Sequence, residues 1–292
     1  MEKINLSNVS IVCIDDRNLK PAIDSIEKSS EEILFGEKIL ITNESLCSKD
    51  YSNLLKKKGI TIKFIPKITS ISDFSFFCLN NLSDYIRTEY CLLVQWDGWI
   101  INPSKWNSSF LEYDYIGATW PHHKVNRVGN GGFSLRSKKL LDATKSLIGE
   151  KKPSLDNLIE DDYICREHKK QLEYKFKIKF APENLADDFS IERKKWTGNS
   201  FGFHGFFNFG YFIPEATFNE KLSELHDDCF GNILSYDLVI NLLKKNRFND
   251  AMIVLSRRIK KSGWIKKNLR LYIFYYLKKT KFKLLKFMKF QF

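Results

Sequence analysis

Residues 91–103 read CLLVQWDGWIINP, a run of strand-forming apolar residues that sets Asp97 between two indoles, Trp96 and Trp99. An ionised carboxylate in such company is costly unless a cation stands opposite it. What precedes the run decides the fold. NVSIVCID (8–15) and EKILITN (37–43) read as strands, as does ITIKFIP (60–66), and CLLVQWD makes a fourth. Between them, LKPAIDSIEKSSEEI (19–33), DYSNLLKKKG (50–59) and FSFFCLNNLSDYIRT (74–88) have helical spacing. Strands alternating with helices imply a mostly parallel sheet covered on both faces, and such sheets bind ligands beyond the carboxyl ends of their strands. Asp15, Asp16 and Asp97 all fall at such ends.

EYDYIGATWP contains a short strand ending at Gly117, KKLLDATKSLIG (138–149) is a helix, and SLDNLIEDDYICREHKK (154–170) is another. FGFHGFFNF (201–209) is a loop or short strand returning to the crevice. From about Thr217 the chain reads as helical, with a helical hairpin over 235–261. The expected division is an α/β domain over 1–230 and a basic helical region over 231–292.

The 292 residues suffice for a sizeable core. The six cysteines are scattered without C-x-x-C spacing, which fits free thiols in a reducing compartment and argues against a zinc knuckle. No secretory signal and no run of 18 uncharged apolar residues is visible, so the expectation is a protein kept in the cytoplasm. The net charge of +12 invites a nucleic-acid reading, but its distribution argues otherwise. Of 47 Lys and Arg residues, 13 follow Asp250, and none of the 35 acidic residues does. Residues 1–250 therefore carry 34 basic against 35 acidic groups, and the excess belongs to the tail.

Four stretches have chemistry to offer, each beside a plainer reading. Asp97 is either a metal-facing strand-end carboxylate or an Asp-Gly turn with Gly98. In GNGGFSLRS (129–137), Gly129, Gly131 and Gly132 either admit a ligand close to the main chain or form a hairpin turn. The carboxylates Asp156, Glu160, Asp161 and Asp162 either favour a helix N-terminus or supply a general base. His204 is either a satisfied core histidine or a ligand that meets Asp97 in space.

VQWDGWIINPSKW, EYDYIGATWP, VGNGGFSLRS, IEDDYIC and FGFHG, in that order, resemble an uncharacterised bacterial domain family placed in the GT-A class of nucleotide-sugar glycosyltransferases. The likeness covers about residues 8–210. It implies a GT-A-like, Rossmann-like α/β fold with a mixed, mostly parallel sheet flanked by helices and a C-terminal helical appendage. It implies that Asp97 matches the last carboxylate of the Asp-x-Asp motif, with Gln95 in place of the first. Asp97 and His204 would then hold a divalent metal, manganese or magnesium, against the donor diphosphate. Asp15, Asp16, Gln95, Trp96, Asp97, Gly131 and Gly132 would line the donor site, and Glu160-Asp161 would match the motif in which inverting members place the base, Asp161. Trp96, Trp99 and Trp120 are candidate apolar walls for sugar rings.

The tail GWIKKNLRLYIFYYLKKTKFKLLKFMKFQF (263–292) interleaves cations with apolar residues at roughly helical spacing. It fits an interfacial helix on anionic lipid, a packed C-terminal helix with solvated lysines, or an RNA-binding segment, with nucleic acid ranked last. The expectation as a whole is a bacterial glycosyltransferase on the inner face of the cytoplasmic membrane, moving sugar to a surface glycan, such as lipopolysaccharide, or a lipid-linked acceptor. A non-catalytic nucleotide-sugar or carbohydrate-binding module and a basic membrane-surface scaffold are the alternatives.

Overall fold

The computed structural model describes residues 3–150 and 154–289. The chain forms two compact units, Met1–His204 and Gly205–Phe292.

The first unit opens with β1 (Ile4–Ile14), α1 (Leu19–Ser29), β2 (Ile33–Thr42), α2 (Lys49–Lys57), β3 (Thr61–Phe64), α3 (Ile71–Asn80) and β4 (Tyr90–Val94). The four strands lie in the order β3-β2-β1-β4, all parallel. Alternation along them explains why both faces are covered. Val9, Ile11 and Cys13 of β1 pack with Leu40, Leu92, Val94 and the α1 residues Ala22, Ile23 and Ile26. Val12 and Ile14 turn to the other face, where they meet Ile39, Ile41, Cys91, Leu93 and Cys78 of α3. A strand buried on both faces is apolar at most positions, which is what made these runs nearly continuous rather than alternating in hydropathy.

Helix starts are chosen by local chemistry. Asp15 Oδ1 accepts the backbone N–H groups of Arg17 and Asn18 ahead of α1. Ser48 caps α2 by accepting the Tyr51 N–H at 3.2 Å, and Ser70 caps α3 by accepting that of Asp73 at 3.0 Å. Gly59, at φ +68°, ends the turn after α2 in the left-handed region that glycine tolerates.

After β4 the chain reverses into β5 (Gly98–Ile100), runs through β6 (Tyr115–Ile116) and returns as β7 (Phe133–Ser137). Strand β7 lies antiparallel between β4 and β6, completing a six-stranded sheet. Next come α4 (Lys138–Glu150), the single turn α5 (Glu160–Asp162), a π-helical segment Tyr163–Glu167, α6 (Lys169–Phe176), α7 (Glu183–Phe189), β8 (Ser190–Ile191) and β9 (Gly202–His204). Strands β5, β9 and β8 form a second, small sheet in that order.

Three elements differ from what the sequence pattern predicts. The fourth strand stops at Val94, and Gln95–Asp97 form a turn closed by the Gly98 N–H on the Gln95 carbonyl at 3.1 Å. The helix expected over 154–170 begins only at Glu160, because Asn157 is left-handed (φ +58°) and Ile159 is extended. The helix expected over 74–88 breaks at Asn81 into α3 and a 3-10 turn at Leu82–Tyr85.

The second unit is helical: α8 (Phe209–Phe212), α9 (Glu215–Ser223), α10 (Ile233–Lys244), α11 (Phe248–Ser262) and α12 (Lys266–Lys289). The boundary expected at 230 falls inside it, because two buried guanidinium groups tie its segments together. Arg247 donates to the carbonyls of Gly210 and Ile213 at 2.9 and 2.8 Å, and Arg258 donates to the Phe230 carbonyl and Asn268 Oδ1 at 3.3 Å each. Residues 290–292 of the basic tail lie outside the described residues. Among the described residues no helix is long and apolar enough to cross a membrane.

Leu92 lies in the centre of the sheet and is buried between β1 and β7. Leu92→Ala is expected to cost about 2–5 kcal/mol, read as a lowered urea midpoint at unchanged slope.

Candidate functional site

The turn after β4 places Asp97 at the carboxyl end of a parallel strand, 3% exposed. Its partner comes from the far end of the unit. Pairing of β5 with β9 sets Gly98 opposite His204, and the imidazole Nε2 stands 3.3 Å from Asp97 Oδ1. Gln95 Oε1 lies 3.1 Å from the same nitrogen. The other nitrogen, Nδ1, lies 3.7 Å from Glu192 Oε1 and 3.1 Å from the Asn130 amide. Burial pushes the His204 pKa down, but the Asp97 charge and hydrogen bond, joined by Glu192, more than reverse this and lift it to about 10. His204 is therefore an imidazolium at neutral pH, and it is a cation that offsets Asp97.

The glycine-rich segment joins this pair to the acidic one. The Gly132 carbonyl accepts the Gln95 N–H at 2.8 Å, and the Gly131 N–H donates to Asp161 Oδ2 at 2.9 Å. A β-carbon on Gly132 would collide with the His204 ring, and one on Gly131 with the Glu160 carboxylate. What approaches these two glycines so closely is protein: the histidine and the glutamate. The left-handed residue of the segment is Asn130, at φ +66°.

Glu160 and Asp161 are adjacent but differ in environment. Glu160 is 5% exposed and forms an ion pair with the fully buried Arg136, Oε1 to Nη2 at 2.9 Å. The same guanidinium donates to Ser134 Oγ at 3.0 Å and to the Gly131 carbonyl at 3.4 Å, while Ser75 Oγ accepts the Glu160 N–H at 3.1 Å. Glu160 is thus occupied as a structural anion. Asp161 is half-buried, and burial together with the Glu160 charge raises its pKa to about 7, against the lowering effect of the Gly131 N–H. A carboxylate poised near neutrality suits proton abstraction.

Of the other expected site residues, Asp15 belongs to the same field. Burial raises its pKa to about 6 against the lowering Arg17 and Asn18 N–H bonds, with the charges of Asp16 and Asp97 adding to the rise. Asp16 is buried and accepts the Ile68 N–H at 2.7 Å, which fixes the approach to α3. Trp96 is half-buried against the main core. The expected role of Trp99 and Trp120 as sugar walls does not fit their positions. Trp99 is buried edge-on against Phe203 at 4.5 Å, and Trp120 is buried where its ring fills the space over Gly129.

For a divalent cation, no group of three or more His, Cys, Asp or Glu side chains stands together among the described residues. The donors that converge are Asp97 Oδ1, Gln95 Oε1 and His204 Nε2, a mixed oxygen and nitrogen set that fits half a coordination shell and leaves the remainder to phosphate oxygens and water. A cation there and the Nε2 proton would compete for one place.

Sequence reasoning missed Arg136, Asn130 and Glu192. Arg136 carried a signal: a lone guanidinium inside the strand FSLRS needs a buried carboxylate, and IEDD follows within one connection. Glu192 carried none, because only the β8–β9 pairing brings it to His204.

The profile of a family described as protein of unknown function (DUF5672) matches residues 59–204. None of the curated proteins compared with this chain matches it. Among solved structures it is similar to the apo form of the glycosyltransferase GlyE of Streptococcus pneumoniae TIGR4, with 13% identity, TM-score 0.44, and coverage of 70% of this chain and 54% of that one. The chain thus spans about half the length of GlyE. It is also similar to a glycosyltransferase involved in glycosylation of the major capsid of PBCV-1, with 12% identity, TM-score 0.39, and coverage of 67% and 91%. A third is residues 1–349 of S. aureus TarS in complex with UDP, with 10% identity, TM-score 0.34, and coverage of 86% and 72%.

Arg136→Met leaves Glu160 buried and unpaired and is expected to cost about 3–5 kcal/mol, whereas adding Glu160→Leu should recover much of that loss. Paired denaturant titrations of the single and double variants measure the difference. Gly132→Ala should displace His204, seen as loss of its anomalous titration by NMR.

Proposed function

The chain belongs to the DUF5672 family, and from the site it carries we propose that it is a glycosyltransferase. It moves a sugar, with inversion, from a nucleotide-sugar donor to a surface glycan or lipid-linked acceptor. The observation that carries this reading is the convergence of Asp97, His204 and Asp161 on the Gly131–Gly132 segment, at the carboxyl end of a parallel sheet where ligands of such folds bind. The motif resemblance over residues 8–210 supports the same class.

In this reading the donor diphosphate lies against the turn Gln95–Asp97, with Asp15 toward the nucleoside. Manganese or magnesium would be held by Asp97 Oδ1, Gln95 Oε1 and His204 Nε2, the ion taking the place of the Nε2 proton. The ion, when bound, offsets the charge that develops on the departing diphosphate. Asp161 accepts the proton of the acceptor hydroxyl as that oxygen bonds to the anomeric carbon and the bond to the diphosphate breaks. Arg136 positions Asp161 indirectly, through Glu160 and the Gly131 carbonyl, and so fixes where the proton goes. The enzyme acts at the inner face of the bacterial membrane, with the basic tail on anionic lipid.

A second reading, binding without turnover, is favoured by one observation: the Asp97 charge is already matched by His204. A panel of sugar nucleotides with manganese separates the two. Transfer or slow donor hydrolysis, lost at least about 1000-fold in Asp161→Asn and abolished in Asp97→Ala, is the expected result. Thermal stabilisation by a donor with no turnover, unaffected by Asp161→Asn, would identify a binding module. Since Asp161 must be ionised to act and its pKa is raised, the rate should climb with pH and level off above about 7. The same raised pKa makes ionisation unfavourable to the fold, so the stability contribution of this group declines from its unfolded value near pH 4 up to about 7.

A further inference from the structure

Among the described residues, helix α12 and the two residues before it present two apolar stripes, one packed on the protein and one exposed. Asn268, Leu271 and Tyr275 are buried, Lys278 donates to the Leu243 carbonyl at 3.0 Å, and the rings of Tyr275 and Phe282 stand 6.2 and 5.3 Å from Phe248. These positions make one stripe packed on α10 and α11. A second stripe, Ile265, Leu269, Ile273 and Tyr276, repeats at the same spacing on a different side and is 44%, 47%, 51% and 48% exposed. Trp264, 60% exposed, extends it through Tyr272, with ring centroids 5.2 Å apart, and Tyr272 meets Tyr276 at 4.8 Å. Single exposed apolar residues are ordinary, but a continuous row ending in tryptophan and tyrosine marks a surface that something covers.

The charges identify what covers it. Lys266, Arg270, Lys281 and Lys283 are exposed on the same helix, and no acidic residue follows Asp250 anywhere in the sequence. Isoleucine and leucine gain nothing from a phosphodiester backbone, and an apolar row bordered by cations matches the acyl boundary and headgroups of an anionic bilayer. We propose that the Ile265–Leu269–Ile273–Tyr276 face of α12 is the membrane-docking surface. The helix lies in the interface while its other face stays packed on α10 and α11. This rests on the membrane placement given above and names the face that performs it.

The test uses the full chain and vesicles of phosphatidylcholine with and without 30% phosphatidylglycerol. Co-sedimentation with the anionic vesicles, weakened at 0.5 M NaCl and at least tenfold weaker in Leu269→Glu/Ile273→Glu, is the expected result. Because both positions are exposed, the double variant should keep the wild-type melting temperature. As a measurement independent of that variant, brominated lipid should quench tryptophan fluorescence in the wild type and much less in Trp264→Phe. Absence of any vesicle binding would overturn both the membrane placement and this face. Binding unchanged in the double variant, or quenching unchanged in Trp264→Phe, would overturn the face alone. Equal binding to pure phosphatidylcholine, or preference for RNA over vesicles, would overturn the lipid assignment.

Discussion

The pairing of Asp97 with His204 is the interaction from which the architecture of the first unit is best understood. It joins the turn after the fourth strand of the sheet to the last residue of that unit, across more than a hundred positions of sequence. Burial of either group alone would be costly, since each would lose water without a countercharge. Together they are tolerable, and the Glu192 carboxylate on the far side of the ring adds to the stabilisation of the imidazolium. The small β5–β9–β8 sheet is what brings them together, by setting Gly98 opposite His204.

A second buried pair, Arg136 with Glu160, repeats this arrangement one strand away, and the glycine segment lies between the two. Gly131 is pressed by the glutamate, Gly132 by the histidine, and the backbone groups of both are used by Asp161 and Gln95. Two internal ion pairs thus consume most of the charge at the site and leave Asp161, like Asp15, a carboxylate whose proton is held nearer neutral pH than usual. Raising one acid beside an already neutralised one is how neighbouring carboxylates acquire different roles.

The helical unit is organised by the same economy of buried charge. Arg247 and Arg258 spend their donors on carbonyls at the ends of short segments, where helices leave acceptors unsatisfied. That leaves the remaining cations, concentrated after Asp250, on the surface of α11 and α12.

The parallel sheet, the strand-end placement of Asp97 and the helical region from about Thr217 onward were legible in the sequence. Hydropathy runs and capping residues such as Ser48 and Ser70 act over a few residues, and local steric preference records them directly. The end of the fourth strand at Val94 and the late start of the helix at Glu160 were not legible, because a turn and a left-handed Asn157 depend on what the neighbouring backbone must reach. Which groups carry charge was decided by tertiary structure alone. The sequence set Asp97 among apolar residues and so required a cation, but only the register of two three-residue strands made that cation the His204 imidazolium. Likewise Glu160 and Asp161 are chemically near-identical in a linear string. Burial beside Arg136 makes one a structural anion, while the other, half-buried next to it, is left with a proton to exchange, because electrostatic energy depends on distances that folding sets.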